Sequence, residues 1–158
     1  MWEQKLETEG ARAGLARMYG HDDASVEQAC QRLRTLADTF RRCYPAEALD
    51  RAVVFSAPGR VEVVGNHTDH NNGKVIAAAI NLDTLAVAAP TPDRIVTIHS
   101  AGYEKPFVVD LDNLSPRTEE EGTTEALIRG TAAGLERAGA RLGGFQACIT
   151  SNVGVGSG

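Results

Sequence analysis

The stretch from Ser56 to Asn72, SAPGRVEVVGNHTDHNN, concentrates side chains that can do chemistry. Within eleven residues it places one guanidinium, two carboxylates, one amide and two imidazoles, carried by Arg60, Glu62, Asn66, His67, Asp69 and His70. A fixed cation can hold anionic oxygens, and carboxylate or amide oxygens can accept hydrogen bonds from hydroxyl groups. The stretch therefore indicates a site for a polyhydroxylated ligand, although a solvated turn region can have the same composition.

The same stretch allows a metal site as an alternative. His67, Asp69 and His70 could bind a divalent ion through imidazole and carboxylate groups. However, H-x-D-H lacks the spacing of the standard zinc motifs, and no other ligand cluster accompanies it. The three cysteines, Cys30, Cys43 and Cys148, are widely separated and form no C-x-x-C pair, so we expect free thiols in a reducing compartment.

A second candidate site lies at residues 151–158, SNVGVGSG, where a predicted strand runs into Gly154, Gly156 and Gly158. Glycines let backbone N–H groups approach a ligand closely, and such a loop before a helix suits a phosphate group. A flexible tail can have the same composition, so the pattern alone does not separate the two interpretations.

Hydrophobic periodicity predicts the elements that would position these residues. Apolar residues at helical spacing predict helices around 6–19, over 26–44 with a capping box at Ser25 and Gln28, and over 123–138. Short β-forming runs predict strands at 53–56, 61–64, 75–80, 85–89, 95–98, 107–111 and 145–150, with turns between them at Pro58-Gly59 and Asn71–Gly73.

This order of elements predicts an α+β fold in which helices pack against one face of a mixed or mostly antiparallel sheet. We assign residues 1–50 to a helical amino-terminal extension and residues 51–158 to the domain that contains the sheet.

The composition of the chain argues against two classes of binding partner. The net charge is -5, with 21 acidic and 16 basic residues and no Lys or Arg block, so a nucleic acid or an anionic membrane surface has no electrostatic support. The sequence shows no signal peptide and no apolar run long enough to span a membrane, and we expect a cytoplasmic location.

Together, the two candidate stretches resemble the galactokinases of the GHMP kinase superfamily. The resemblance rests on Ala57–Val61, Val64-Gly65, His67–Asp69 and Asn71–Gly73, which are similar to the galactokinase signature. The terminal segment looks like the opening of the phosphate-binding loop of that superfamily, with Gly154 where proline is usual. The resemblance extends over residues 33–158, in the order and at about the separation of the family.

The resemblance implies a GHMP kinase amino-terminal domain (ribosomal protein S5 domain 2-like), incomplete here, from an enzyme that transfers the γ-phosphoryl group of ATP to the anomeric hydroxyl of galactose with Mg²⁺. By this resemblance, Arg60 lies beside the catalytic centre and stabilises developing negative charge. Asn66, His67 and Asp69 would bind the sugar. Gly156, Ser157 and Gly158 would bind the nucleotide.

Some positions depart from the family pattern. Glu62 stands where the family has Asn, Asn66 where it has Glu, and His70 where it has Tyr. A kinase for a different sugar and a non-catalytic sugar sensor therefore stay open as alternatives.

The family's serine run, its magnesium ligands and its catalytic aspartate would follow Gly158. We therefore expect little or no activity from the chain alone, and self-association through an exposed sheet edge.

Overall fold

The structure is a computed structural model that describes residues 6–65 and 71–154. Its helices are α1 (Glu9–Tyr19), α2 (Asp23–Cys43) and α3 (Thr124–Arg137), with 3-10 segments at Ala46–Arg51 and Thr118–Glu120. Its strands are β1 (Val53–Val64), β2 (Ile76–Pro90), β3 (Ile95–Ser100), β4 (Phe107–Asp110) and β5 (Phe145–Ser151).

Each helix begins at a side chain that accepts a hydrogen bond from a backbone N–H of the first turn. Thr8 caps α1, Asp22 caps α2 and Thr123 caps α3. The capping box predicted at Ser25 and Gln28 was wrong, because the Asp22 carboxylate accepts from the Ser25 N–H at 2.8 Å and α2 begins earlier. The amphipathic pattern thus predicts most of α2 but starts the helix about one turn too late.

Two long strands replace four of the predicted short ones. β1 runs unbroken from Val53 to Val64, and β2 from Ile76 to Pro90, and the two pair antiparallel along their length. The turn predicted at Pro58-Gly59 is therefore wrong. Proline cannot donate to a ladder, but β1 is an outer strand and needs to pair on one side only.

In the described part of the chain, the sheet has five strands in the order β1-β2-β5-β3-β4. β5 pairs antiparallel with β2 and parallel with β3, while β3 and β4 pair antiparallel. The sheet is thus mixed, as the sequence predicted.

Helices cover both faces of this sheet, so the prediction of helices on one face was wrong. Neighbouring residues of β5, Ala147 and Cys148, point to opposite faces, and both are buried. One cluster joins α2 to Leu85, Val87, Ala89 and Cys148, and the other joins α3 to Val96, Ile98, Val109 and Ala147. The near-continuous apolar run 85–89 is typical of a strand buried on both faces.

A buried ion pair fastens α3 to the segment before it. The guanidinium of Arg129 is almost fully buried and donates to the Glu120 carboxylate at 2.7 and 2.8 Å and to the Asn113 carbonyl. Among residues 6–65 and 71–154, no helix is both long and apolar enough to cross a membrane.

Candidate functional site

Strand β1 carries the motif Ala57–Val61 along the outer edge of the sheet. Pro58 pairs with Asp83 and Arg60 with Ala79, so three residues of β2, Ile80 to Leu82, lie opposite Gly59 alone. β2 therefore bulges at this point. Bulges bend a strand and redirect its side chains, and they are common beside active sites.

Arg60 is the one predicted site residue that falls within the described part of the chain. It lies inside β1, and its side chain is exposed. A guanidinium stays protonated at any physiological pH and presents five donors in a planar fork. The strand therefore offers a permanent cation to an anionic group that approaches this edge.

The loop between β1 and β2 closes at a glycine that cannot be replaced without strain. Gly65 has φ 134°, and a Cβ there would lie 2.6 Å from the Val75 Cγ1 and 2.9 Å from its Cα. Together with the Val64–Ile76 pair, this contact holds the two ends of the loop together. Asn66, His67, Asp69 and His70 belong to this loop by sequence but lie outside the described residues.

A buried carboxylate, Asp83, joins four elements beside the bulge. Its Oδ2 accepts hydrogen bonds from the Tyr19 hydroxyl of α1 and from the Ser56 hydroxyl of β1, the latter at 2.6 Å. Its Oδ1 lies 2.8 Å from the Arg32 Nη2 of α2. We call Asp83, Tyr19, Ser56 and Arg32 the Asp83 cluster.

The Asp83 cluster keeps its carboxylate ionised. Burial by itself would raise the pKa of Asp83, but hydrogen bonds from Ser56 and Tyr19 and the Arg32 guanidinium outweigh it and hold the pKa below its ordinary value. Burial and the Asp83 carboxylate raise the pKa of Tyr19, so the phenol stays a donor. The cluster is thus a fixed, charged anchor at neutral pH.

The end of β5 reaches the motif strand. Asn152 follows the last ladder pair, Thr84–Ser151, and bonds to the backbone of Asp83. Val153 then lies over Gly59, because a Cβ on that glycine would be 3.0 Å from the Val153 Cγ2. The predicted nucleotide residues Gly156, Ser157 and Gly158 lie outside the described residues.

Several cavities border these elements. One of about 460 Å³ lies beside the bulge and is lined by Met18, Tyr19, Ser56, Pro58, Ala79, Ile80, Asn81 and Asp83. Another, of about 420 Å³, lies between α2 and the segment after β3, and Arg32, Cys43, His99 and Tyr103 contribute to its lining. The first connects the Asp83 cluster to the motif strand.

The metal alternative stays a prediction, since His67, Asp69 and His70 lie outside the described residues. Within residues 6–65 and 71–154, no group of three or more His, Cys, Asp or Glu side chains is placed to hold a metal ion.

Sequence patterns did not reveal the Asp83 cluster. A lone aspartate inside the apolar stretch 75–90 is the feature that could have indicated it, since a buried carboxylate needs partners. The partners themselves, Tyr19 and Arg32, lie far away in the sequence, and only the fold brings them together.

The sequence of this region matches a known protein family. Residues 38–90 match the family described as the galactokinase galactose-binding signature. Those residues run from the second half of α2 to the end of β2 and so include Arg60 and the loop after it.

Curated relatives named galactokinase are similar to this chain. The chain is 38% identical to a galactokinase of Chloroflexus aggregans over 102 residues, which are 65% of this chain and 26% of the relative. It is 31% identical to a galactokinase of Streptococcus thermophilus over 124 residues, 78% of this chain and 31% of the relative. The chain thus spans between a quarter and a third of the length of these relatives.

Solved structures extend the likeness to the fold. The structure is similar to that of Lactococcus lactis galactokinase complexed with galactose, with a TM-score of 0.68 and 26% identity over 77% of this chain and 31% of that one. Mevalonate kinase of Methanococcus jannaschii shares the fold, with a TM-score of 0.53 and 17% identity over 67% of this chain and 34% of that one.

Proposed function

Since this chain belongs with the galactokinases over the length that it shares with them, we propose that its gene product transfers the γ-phosphoryl group of ATP to the anomeric hydroxyl of galactose. The observation that carries the proposal is the match of residues 38–90 to the galactose-binding signature. The signature includes one complete structural unit, the β1–β2 pair and the loop between its strands.

Arg60 is the residue that we propose for charge stabilisation. Its position on an exposed strand edge beside a bulge supports this role, because a guanidinium there can approach phosphoryl oxygens without moving the sheet. Phosphoryl transfer depends mostly on positioning and on stabilising charge on the transferred group, and a fixed cation contributes to both.

The sugar side of the proposed site consists of Asn66, His67 and Asp69. Their support is the family match, which includes all three positions, and the fixed closure of their loop at Gly65. Carboxylate and amide oxygens can read the orientation of sugar hydroxyls, because a misplaced hydroxyl leaves a buried acceptor without a partner. Galactose is accordingly proposed over its epimers.

The nucleotide side consists of Gly156, Ser157 and Gly158, which lie beyond the matched segment. Their support is the contact of Val153 with Gly59, since it directs the chain after β5 towards the strand that carries Arg60. ATP would bring Mg²⁺ with it, and the metal would neutralise charge on the phosphates. Backbone N–H groups of the glycine segment would bind the phosphates themselves.

A kinase assay on the full gene product tests the proposal. We expect transfer to galactose to be much faster than to glucose, and an Arg60→Gln variant to lose about 100-fold or more in kcat. Arg51→Gln, which removes an exposed arginine just before β1, is the matched control and should keep wild-type rates.

Two other outcomes of this assay would indicate a different function. Galactose binding without phosphoryl transfer would identify a sensor, and faster turnover of another sugar would show that Asn66 changes the specificity. Because the chain spans only 26–31% of the length of relatives, we expect the 158 residues alone to show little or no turnover.

We also propose that copies of the chain associate through β1. Val53 and Phe55 are more than half exposed on this outer strand, and a second copy could add its own β1 to the edge. Sedimentation at increasing concentration should show a dimer that Phe55→Lys abolishes. Val108→Lys, on the opposite outer strand β4, should leave it intact, and a wild-type monomer at all concentrations would refute the association.

A further inference from the structure

The bulge in β2 lies between two ladder pairs of β1 and β2. Pro58 pairs with Asp83 at one end of the bulge, and Arg60 pairs with Ala79 at the other end. A bulge disrupts the ladder locally and bends the strand, so the strand segments on its two sides can change direction relative to each other. The direction of the segment that carries Arg60 therefore depends on the contacts that fix the bulge.

The β1–β2 ladder has no main-chain donor at the Pro58–Asp83 end of the bulge. Proline has no N–H, and the Asp83 N–H donates to the Asn152 Oδ1 at 2.6 Å, on the side of β5. The Asp83 carbonyl also bonds on that side, since it accepts from the Asn152 N–H at 3.1 Å. Other contacts must therefore hold β1 against β2 at this pair.

A side-chain hydrogen bond joins the two strands at this point. The Ser56 hydroxyl of β1 donates to the Asp83 Oδ2 at 2.6 Å, and the Asp83 side chain is almost fully buried. Tyr19 of α1 donates to the same oxygen, and the Arg32 Nη2 of α2 lies 2.8 Å from the Asp83 Oδ1. Asp83 is thus held by two helices and by the residue after β5, and the Ser56 bond holds β1 to this fixed residue.

Arg60 lies on the face of the sheet that carries this bond. Paired residues of an antiparallel ladder direct their side chains to the same face. Ala79, the partner of Arg60, lines the cavity of about 460 Å³ together with Ser56 and Asp83. A shift of β1 at Ser56 would therefore change the position from which Arg60 approaches a ligand on that face.

We propose that Ser56 and Asp83 are positioning residues for Arg60, which fix the β1–β2 bulge and thereby the direction in which β1 presents the guanidinium. The inference rests on the proposed function and deepens it, since it assigns the orientation of the proposed charge-stabilising residue to a bond elsewhere on its strand. Neither side chain needs to touch a substrate.

A simpler interpretation is that the Ser56–Asp83 bond contributes only to the stability of the fold. In that case its loss would lower the melting temperature and leave the kinetics of the folded enzyme unchanged. A positioning bond would instead change kcat more than either KM, because Arg60 is proposed to act on charge that develops during the transfer.

The first experiment measures kcat and both KM values of the full gene product. Ser56→Ala removes one donor and leaves Asp83 with Tyr19 and Arg32, so we expect a folded enzyme. Its kcat should fall about five- to tenfold, as expected for a small misplacement of a charge-stabilising group, and the KM for galactose and for MgATP should each change less than about twofold. Ser56→Thr keeps the hydroxyl and should restore most of the lost kcat.

The matched control is Thr84→Val, next to Asp83 in β2. It removes the Thr84–Ser151 hydroxyl bond of 2.9 Å, which joins β2 to β5, and should keep the wild-type kcat. Ser56→Ala in the Arg60→Gln background supplies a further test. There it should change kcat less than about twofold, because the group that it misplaces is already absent.

An unchanged kcat in Ser56→Ala, or an equal loss in the presence and absence of Arg60, would overturn the proposal. If the wild type does not phosphorylate galactose, the proposed function fails, and residual dipolar couplings of the Arg60 main-chain N–H then decide the positioning role. Couplings that change in Ser56→Ala but not in Thr84→Val would support it. Unchanged couplings in Ser56→Ala, or equal changes in both variants, would reject it.

Discussion

Removing Arg32 should expose the dependence of the fold on the Asp83 cluster. Arg32→Met keeps the aliphatic length but leaves the Asp83 carboxylate without its cation. Breaking a buried ion pair from one side costs about 3–5 kcal/mol. Because the Arg32 side chain keeps 20% exposure and Asp83 retains two hydroxyl donors, we expect the lower end, about 3 kcal/mol.

Urea and thermal unfolding at pH 7 of the wild type, Arg32→Met, Asp83→Asn and the double variant measure this effect. At about 2–4 °C of melting temperature per kcal/mol, the single variant should melt roughly 6–12 °C lower. In the Asp83→Asn background the same change should cost about 1 kcal/mol or less, since the buried charge is gone. Arg41→Met, in the half-exposed pair with Asp38, is the control and should cost about 0.5 kcal/mol. An equal cost of Arg32→Met in both backgrounds would refute the reasoning.

The pH dependence supplies a second check on the same carboxylate. The pKa of Asp83 is lower in the folded state than in the unfolded state, so its stabilising contribution is present above the unfolded pKa of about 3.9 and is lost as the pH falls through the folded pKa. The difference in unfolding free energy between the wild type and Asp83→Asn should be constant from about pH 5 to 8 and should shrink below about pH 4. A difference that stays constant down to pH 3 would show that the carboxylate is not stabilised by its partners.

Gly65→Ala should lower the free energy of unfolding by about 2 kcal/mol, because φ 134° and the contact with the opposite strand end strain any larger residue, and an unchanged urea midpoint would contradict this. Cys43 should react first with a thiol reagent in the native protein. Cys30 and Cys148 are buried, and burial with the neighbouring Cys43 raises the pKa of Cys148 to about 12, so both should react only after unfolding; early labelling of Cys148 would count against its burial. Arg129→Met should cost about 3 kcal/mol, measured by thermal unfolding, since it removes the donor to the Asn113 carbonyl and leaves the Glu120 carboxylate with Arg117 alone. A loss below about 0.5 kcal/mol would show that the pair does not hold α3.

Periodic patterns in the sequence predicted most helices and strands, because each rests on local rules. The 3.6-residue recurrence in 26–44 and the turn at Gly139 gave α2 and α3 nearly at their observed ends. The same rules divided β1 at Pro58 and Gly59, which usually mark turns, and divided β2 between residues 80 and 85. The pairing of β1 with β2 outweighs the preference of Pro58 and Gly59 for turns. Rules that consider only neighbouring residues do not include such pairing.

One part of the candidate site could be predicted from the sequence and another part could not. The motif around Arg60 could be found because its residue types lie close together in the sequence. The Asp83 cluster could not, since Tyr19 and Asp83 are 64 residues apart and meet only when α1 packs beside the sheet. No pattern within a short window contains that information.

The strand order also constrains how the protein forms during synthesis. β5 lies between β2 and β3, so the β1–β2 hairpin and the β3–β4 hairpin have no direct sheet contact until β5 has left the ribosome. Until then each hairpin exposes an inner edge and a strip of apolar side chains to solvent or to a chaperone. Insertion of β5 closes both edges in one event, and we expect a single late step to commit the nascent chain to its native sheet.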